Sequence, residues 1–320
     1  MNTSITLISN PKTPALNNQA LTKRLHQELS AFANGDISHK ILCDGVAEDF
    51  CFDFAASRDN SSASHDDPSP LEAQCRAALD PICAEIIGDQ PIDFAIQQTT
   101  ARRKQLLIAD MDSTIIEQEC IDELAEFAGK RSEISDITER AMRGELDFEA
   151  ALNERVAMLK GLPERVLQET FEKAITLAPG ARILVQTMNK LGAVTALISG
   201  GFTFFTERVS AATGFQSNRA NSFIIENATL TGAVKQPILG KQAKLDALNE
   251  LLTLHALTPE QSIAVGDGAN DLAMLNRAGV GVAIHAKPAV AAAADVRINH
   301  SDLTALLYLQ GIPQRDFATH

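Results

Sequence analysis

The run Leu106-Leu107-Ile108-Ala109 passes directly into Asp110-Met111-Asp112-Ser113-Thr114. Four apolar residues in a row read as a strand buried on both faces, as at the centre of a parallel sheet. Two carboxylates, one residue apart, then stand at its carboxyl end, where one can act as a nucleophile and the other as a proton donor. Asp and Ser also favour turns where strands stop. The five residues alone therefore leave catalysis and a plain turn both open.

From about residue 104 onward, apolar runs alternate with helical stretches, the order that a parallel sheet with crossover helices requires. Strands are expected at 105–109, 194–199, 262–266, 280–284 and 296–299, with four helices between or after them. Residues 115–177 carry no strand pattern and many helix formers, which implies a helical cap, about 118–178, inserted after the first strand. An insertion there overhangs the carboxyl ends of the strands, where open α/β sheets bind ligands. The expectation for 99–320 is thus a doubly wound, Rossmann-like parallel α/β sheet. Residues 1–98 read differently: strand 4–9, helix 18–33, strands 39–43 and 49–54, helix 71–87, strand 91–97. That order suggests a small ferredoxin-like α+β domain. Residues 57–70 are polar and rich in Ser, Asp and Pro, and read as a mobile loop.

The formal net charge of −13 argues against nucleic acid or an anionic membrane as partner, since both would repel the chain. An anionic substrate must instead meet local positive charge or a metal. The five cysteines, Cys43, Cys51, Cys75, Cys83 and Cys120, are odd in number and lack metal-ligand spacing, so thiols in a cytoplasm are expected. The amino terminus has no basic, apolar leader, and no stretch approaches the ~20 apolar residues of a membrane span.

Two further strand ends carry polar groups. The second expected strand runs into Ser199-Gly200-Gly201, and the third into Gly266-Asp267-Gly268-Ala269-Asn270-Asp271. Ser199 can donate its hydroxyl, and the glycines let backbone N–H groups approach anionic oxygens closely. Asp267 with Asp110 offers the hard oxygen ligands that Mg²⁺ prefers. Lys244 can neutralise charge between a nucleophile and a phosphate, and by spacing alone Lys241 rivals it. Each piece has an ordinary reading as a turn or a solvated lysine. Parallel strands, however, bring all three ends to one crevice.

In order and separation, Asp110-Met111-Asp112-Ser113-Thr114, Ser199-Gly200-Gly201-Phe202, Lys244 and the Gly266–Asp271 stretch resemble the four motifs of the haloacid dehalogenase superfamily. Residues 105–309, including Ala141-Met142-Arg143-Gly144-Glu145-Leu146-Asp147-Phe148 and Glu154-Arg155-Val156, are similar to its phosphoserine phosphatase family. Residues 1–98 resemble the ACT-like regulatory regions of some members. The resemblance implies hydrolysis of O-phospho-L-serine, the last step of serine biosynthesis, with Mg²⁺ as cofactor and an aspartyl-phosphate intermediate. It assigns Asp110 as nucleophile and Asp112 as general acid and base. Mg²⁺ would be held by Asp110, Asp267 and the main-chain carbonyl of Asp112, with Asn270 and Asp271 supporting metal and substrate. Ser199, Gly200 and Lys244 would hold the phosphoryl group, Glu119 the substrate ammonium and Arg155 its carboxylate. Met142 and Phe148 would close an apolar lid.

Without the resemblance, Glu119 and Arg155 read as solvated helix charges, and Met142 and Phe148 as core. Rival functions are a phosphotransferase or phosphatase for another phosphorylated amino acid, such as phosphohomoserine, and a non-catalytic amino-acid-binding regulator. A carbon–halogen hydrolase has no use for a proton donor at Asp112 or a metal ligand at Asp267. The sequence leaves a homodimer open.

Overall fold

The computed structural model describes residues 1–55 and 68–319, and contacts divide the chain into two units. One unit holds residues 1–103 and 298–317, the other 104–297 and 318–320.

The amino-terminal unit is built from β1 (Asn2–Ser9), α1 (Gln19–Leu29), β2 (Ser38–Cys43), β3 (Ala47–Asp53), α2 (Pro68–Ile87) and β4 (Ile92–Gln98). The four strands form an antiparallel sheet in the order β2-β3-β1-β4. Alternation along β1 sends Ile5 and Leu7 to one face, where they join Phe50, Phe52 and Ile96 in a core with Leu21, Leu25 and Leu29 of α1 and Leu79 and Cys83 of α2. This is the expected ferredoxin-like arrangement. The sequence-expected loop at 57–70 falls mostly outside the described residues, and its last three residues already belong to α2.

The opposite face of this sheet carries Thr6, Asp49 and Asp93, all buried. Segment 298–317, read from sequence as the end of the second domain, groups with this unit instead. Hydrogen bonds explain why. The Asp93 carboxylate accepts from the backbone N–H groups of Asn299, His300 and Ser301 at 2.8 to 3.3 Å. Arg102 donates through Nη1 and Nη2 to both oxygens of Asp49 (2.7 and 2.8 Å), and through Nε to the carbonyl of Leu309 (2.7 Å).

The second unit contains β5 (Leu106–Ala109), the cap helices α3 (Cys120–Ala128), α4 (Arg131–Met142), α5 (Phe148–Met158) and α6 (Arg165–Ala174), then α7 (Ala181–Lys190), β6 (Val194–Phe202), α8 (Thr203–Thr213), β7 (Ser217–Asn221), β8 (Phe223–Glu226), β9 (Thr229–Val234), α9 (Lys241–Leu254), β10 (Ser262–Gly266), α10 (Leu272–Arg277), β11 (Val280–Ile284), α11 (Pro288–Ala293) and β12 (Val296–Ile298). A short helix, α12 (Ala305–Leu309), follows in the first unit. The strands order as β12-β11-β10-β5-β6-β7, with β5, β6, β7, β10 and β11 parallel. Leu106, Ile108, Ala196 and Ala264 from the central strands pack against Leu248, Leu251 and Leu252 of α9.

The cap begins and ends at one place. An isolated bridge joins Ile116 to Leu177, and Glu117 N–H donates to Thr176 O while Ala178 N–H donates to Ile115 O. Three strands were not expected from sequence: β7, and the antiparallel hairpin β8–β9. Between or after the sheet strands stand six helices rather than four, and α10, α11 and α12 run only six, six and five residues.

The bidentate Arg102–Asp49 pair is buried on both sides, so removing one partner strands a charge. Arg102→Ala is expected to destabilise the amino-terminal unit by about 3–5 kcal/mol, and Arg102→Lys to recover only part, since an ammonium lacks the guanidinium fork. Denaturant unfolding of the three proteins reads this directly; equal stability of Arg102→Ala and wild type would refute it.

Candidate active site

Asp110 sits where β5 ends, held in register as its N–H donates to Val265 O at 3.0 Å. Beyond it the chain makes a tight turn, with the carbonyl of Met111 accepting from Thr114, Ile115 and Ile116 and Ser113 at φ 54°. The turn points Asp112 back over the sheet. Its Oδ1 accepts from Cys120 N–H at the start of α3 (2.8 Å), and its Oδ2 from the Ser199 hydroxyl (3.1 Å). Strand β6 is irregular between Ile198 and Phe202, and this break carries Ser199, Gly200 and Gly201 to the rim. Gly201 N–H donates to Ser199 Oγ at 2.8 Å.

At the end of β10, Asp267 and Asp271 come beside Asp110. One carboxylate oxygen from each lies within 4.8 Å of the others, and all three side chains are buried. Lys244 projects from α9 into this group, with Nζ 2.7 Å from Asp110 Oδ1 and 2.6 Å from Asp271 Oδ1. The rival Lys241 is exposed at the start of the same helix. Thr114 Oγ1 reaches Asp267 Oδ1 at 3.3 Å, and Gly268 N–H donates to Asp271 Oδ2 at 3.1 Å.

One ammonium cannot offset this much negative charge. Burial raises the Asp267 carboxyl well above its usual range, and the charges of Glu119, Asp271 and Asp110 raise it further. Asp271 is also raised, by burial and then by Asp110, against the pull of Lys244. Asp112 is raised by burial and by Asp110, against the Cys120 N–H. For Lys244, burial opposes its charge, yet Asp110 and Asp271 outweigh that and hold it above the ordinary lysine range. A crowded, all-oxygen set with excess negative charge fits a hard divalent cation. Asp271 belongs to this cluster by position, whereas the sequence reading gave it a supporting place. The side chain of Asp112 turns instead to Ser199 and Cys120.

Under the cap, a cavity of about 50 Å³ is lined by Asp110, Asp112, Glu119, Phe148, Arg155, Ser199, Gly200 and Asn270, among others. Eight of the sequence-predicted residues therefore meet in one place. Glu119 Oε1 accepts from the Ser113 hydroxyl at 2.6 Å, and among the described residues no Lys or Arg pairs with it. Burial first, and then Asp112, pushes its carboxyl up to about 8. Arg155, 6% exposed, donates to Ala151 O (3.2 Å) and Thr138 Oγ1 (3.0 Å), and among the described residues no carboxylate pairs with its guanidinium. Asn270 Oδ1 is buried and accepts no hydrogen bond among the described residues.

Phe148 opens α5, which Asp147 caps by accepting from Ala150 N–H. Its ring lies against Gly200, where a Cβ would come within 2.6 Å of Cζ. A larger cavity of about 640 Å³ lies next door, lined by Gly144, Leu146, Lys241 and Leu272 and sharing Ala141, Phe148 and Asn270 with the smaller one. The side chain of Met142 lies outside the described residues.

Sequence reading missed Thr138, which orients Arg155, and Asn221 on β7. Asn221 Nδ2 donates to Gly200 O (2.9 Å) and Leu239 O (3.2 Å), and its Oδ1 accepts from Leu239 N–H (2.7 Å). No sequence signal marks Thr138, because Asp122, whose Oδ1 accepts from its hydroxyl at 2.7 Å, lies on α3 while Thr138 lies on α4.

The haloacid dehalogenase-like hydrolase family matches residues 107–276. The chain belongs to that family. A phosphoserine phosphatase from Haemophilus influenzae is 47% identical over 223 residues, covering 69% of this chain and 71% of that one. A solved haloacid dehalogenase-family hydrolase from Salmonella enterica serovar Typhi superposes with a TM-score of 0.75 at 30% identity, covering 96% of this chain and 98% of that one. The phospho-aspartyl intermediate analogue of a phosphoserine phosphatase superposes with a TM-score of 0.62 at 36% identity, covering 64% of this chain and 98% of that one. The family's hydrolase chemistry thus falls on the unit that carries the carboxylate cluster.

Glu119 also links the site to stability. Between its ordinary value of 4.5 and about 8, the folded state keeps a proton that the unfolded chain releases. Its contribution is therefore full below the unfolded value and lost as pH rises through the folded one. In chelator, wild type should lose stability relative to Glu119→Gln as pH rises from about 5 to about 8. Denaturant unfolding across that range checks it, and a difference independent of pH would contradict the assignment.

Proposed function

We propose that this chain hydrolyses O-phospho-L-serine to L-serine and phosphate through an aspartyl-phosphate on Asp110. The observation that carries the reading is one small cavity lined by Asp110 together with a carboxyl, Glu119, and a guanidinium, Arg155. A zwitterionic amino-acid head answers both: its ammonium pairs with Glu119 and its carboxylate takes parallel N–H bonds from Arg155. The two relatives named as phosphoserine phosphatases, one of them solved as a phospho-aspartyl analogue, support it.

Hydrolysis of a phosphate monoester is among the slowest uncatalysed reactions, so the nucleophile must be placed in line and charge on phosphorus oxygens absorbed. In the first step an Asp110 carboxylate oxygen bonds to phosphorus, the phosphorus–serine oxygen bond breaks, and Asp112 gives its proton to the leaving oxygen. Burial and the Asp110 charge favour the protonated Asp112 this needs. In the second step Asp112 takes a proton from water, the water oxygen bonds to phosphorus, and the Asp110 carboxylate departs. Ser199, the backbone at Gly200 and the Lys244 ammonium hold the phosphoryl oxygens. Asp110, Asp267 and Asp271, with the carbonyl of Asp112, are the groups that would hold Mg²⁺, which when bound offsets repulsion between carboxylate and phosphate. Phe148 closes the site against water. The five cysteines are free thiols, the state a reducing cytoplasm maintains, and we place the enzyme there.

A phosphate-release panel of L- and D-phosphoserine, phosphothreonine and phosphohomoserine tests the reading. L-Phosphoserine should be turned over fastest with Mg²⁺ and not at all in chelator; preference for phosphohomoserine would favour the rival substrate. Asp110→Asn should lower turnover by about 10⁴-fold or more and abolish labelling from radioactive substrate phosphate. Arg155→Ala should cost about 10–100-fold on phosphoserine, the worth of hydrogen bonds to a charged group, and far less on an aryl phosphate. Equal losses on both substrates would remove Arg155 from substrate recognition.

A further inference from the structure

Asn221 lies on the edge strand β7, is 2% exposed, and makes three hydrogen bonds to two loops. One loop is the Ser199-Gly200-Gly201 break in β6; the other, around Leu239, leads into the helix that carries Lys244. We propose that Asn221 is a positioning residue for phosphoryl transfer, setting the rotation of the Gly200–Gly201 peptide and so the aim of the Ser199 hydroxyl at Asp112. This deepens the proposed phosphatase reaction and rests on it.

The geometry is a directed chain. The Gly200 carbonyl and the Gly201 N–H belong to one trans peptide, so they point opposite ways. Asn221 Nδ2 donates to that carbonyl at 2.9 Å and so turns the N–H towards Ser199 Oγ, which accepts it at 2.8 Å. With that lone pair taken, the Ser199 hydroxyl donates to Asp112 Oδ2 at 3.1 Å. Two adjacent glycines offer little torsional resistance to a peptide flip, and a flip would point an N–H away from Ser199. Asn221 supplies the constraint that these side-chain-free residues lack.

The glycines themselves are required by close neighbours. A Cβ at Gly200 would meet Phe148 at 2.6 Å, and one at Gly201 would meet Asp112 Oδ2 at 2.8 Å. The cap residue Phe148 also lies 3.4 Å from a Cβ built on Gly240, beside the Leu239 anchor. By holding both loops, Asn221 keeps the two glycines between which this ring is seated. The rotation of one peptide and the seat of the cap residue then depend on the same amide.

A coupling measurement separates this role from ordinary packing. Asn221→Ala and the near-isosteric Asn221→Asp, which retains an acceptor for Leu239 N–H but cannot donate to Gly200, should both lower kcat/KM by about 10–100-fold, the scale of a small misplacement at a reacting centre. In a Ser199→Ala background, where the chain has lost its end, Asn221→Ala should cost no more than about threefold. Equal fold-losses in the two backgrounds, or wild-type kcat/KM in either folded variant, would overturn the proposal. So would loss of folded protein in both variants, judged by thermal unfolding, since that would make Asn221 a residue of the fold alone. Running the series on both L-phosphoserine and an aryl phosphate keeps the two readings apart. A wild type active only on the aryl phosphate sinks the substrate assignment but leaves the Asn221 coupling readable.

Discussion

The ammonium of Lys244, wedged between Asp110 and Asp271, is the interaction on which the arrangement of the site depends. Among the described residues it is the one cation in direct contact with the carboxylate cluster, and like charges packed this closely would otherwise drive the strand ends apart. Its two contacts also tie elements remote in sequence: α9, the end of β5 and the turn after β10. A long side chain with its stem buried in the sheet's helical layer and its charge at the rim does this without filling the crevice. The residual negative charge is what makes the same crevice a place for a divalent cation.

That arrangement was legible to the degree that residues at strand ends report their own position. The runs at 106–109, 263–266 and 280–284 hold no polar side chain because both faces of a central parallel strand are covered. Their ends follow directly, and with them Asp110, Asp267 and the approach to Asp271. The edge of the sheet was not legible. Strand β7, Ser217-Asn218-Arg219-Ala220-Asn221, alternates neither in hydrophobicity nor in β-branching, since an edge strand is only partly covered and its last two residues are buried by hydrogen bonding as much as by packing. The hairpin β8–β9 turns on Asn227-Ala228, both at positive φ (50° and 54°). Such a two-residue turn is usually announced by Asn-Gly, and an alanine in the second place hides it.

Segment 298–317 failed to announce itself for another reason. What draws it to the amino-terminal unit is not an apolar stripe but one aspartate, Asp93, accepting from three successive backbone N–H groups, together with the Arg102–Asp49 fork. Contacts between side chains and backbone leave no periodic mark on either partner, and here about two hundred residues of sequence stand between them. Asn221 escaped notice in the same way, because its partners are three backbone groups and none of them constrains the identity of the residue that supplies it.

In the proposed reaction, selectivity under the cap follows from what is left unpaired. Among the described residues Glu119 accepts from the Ser113 hydroxyl and Arg155 donates to Thr138 and a backbone carbonyl, with no charged partner for either. On the proposed reading, a ligand without an ammonium leaves Glu119 holding its proton and one without a carboxylate leaves the Arg155 guanidinium unpaired in a closed space, a penalty that discriminates more sharply than shape can. Apolar neighbours strengthen the effect, since Phe148, Ile121 and Leu152 line the same cavity and hold no polar atom to substitute. The cap residue Phe148 rests on Gly200, one residue from Ser199. On the proposed reading, recognition of the head group under the cap and alignment of Ser199 with Asp112 therefore meet at this one glycine.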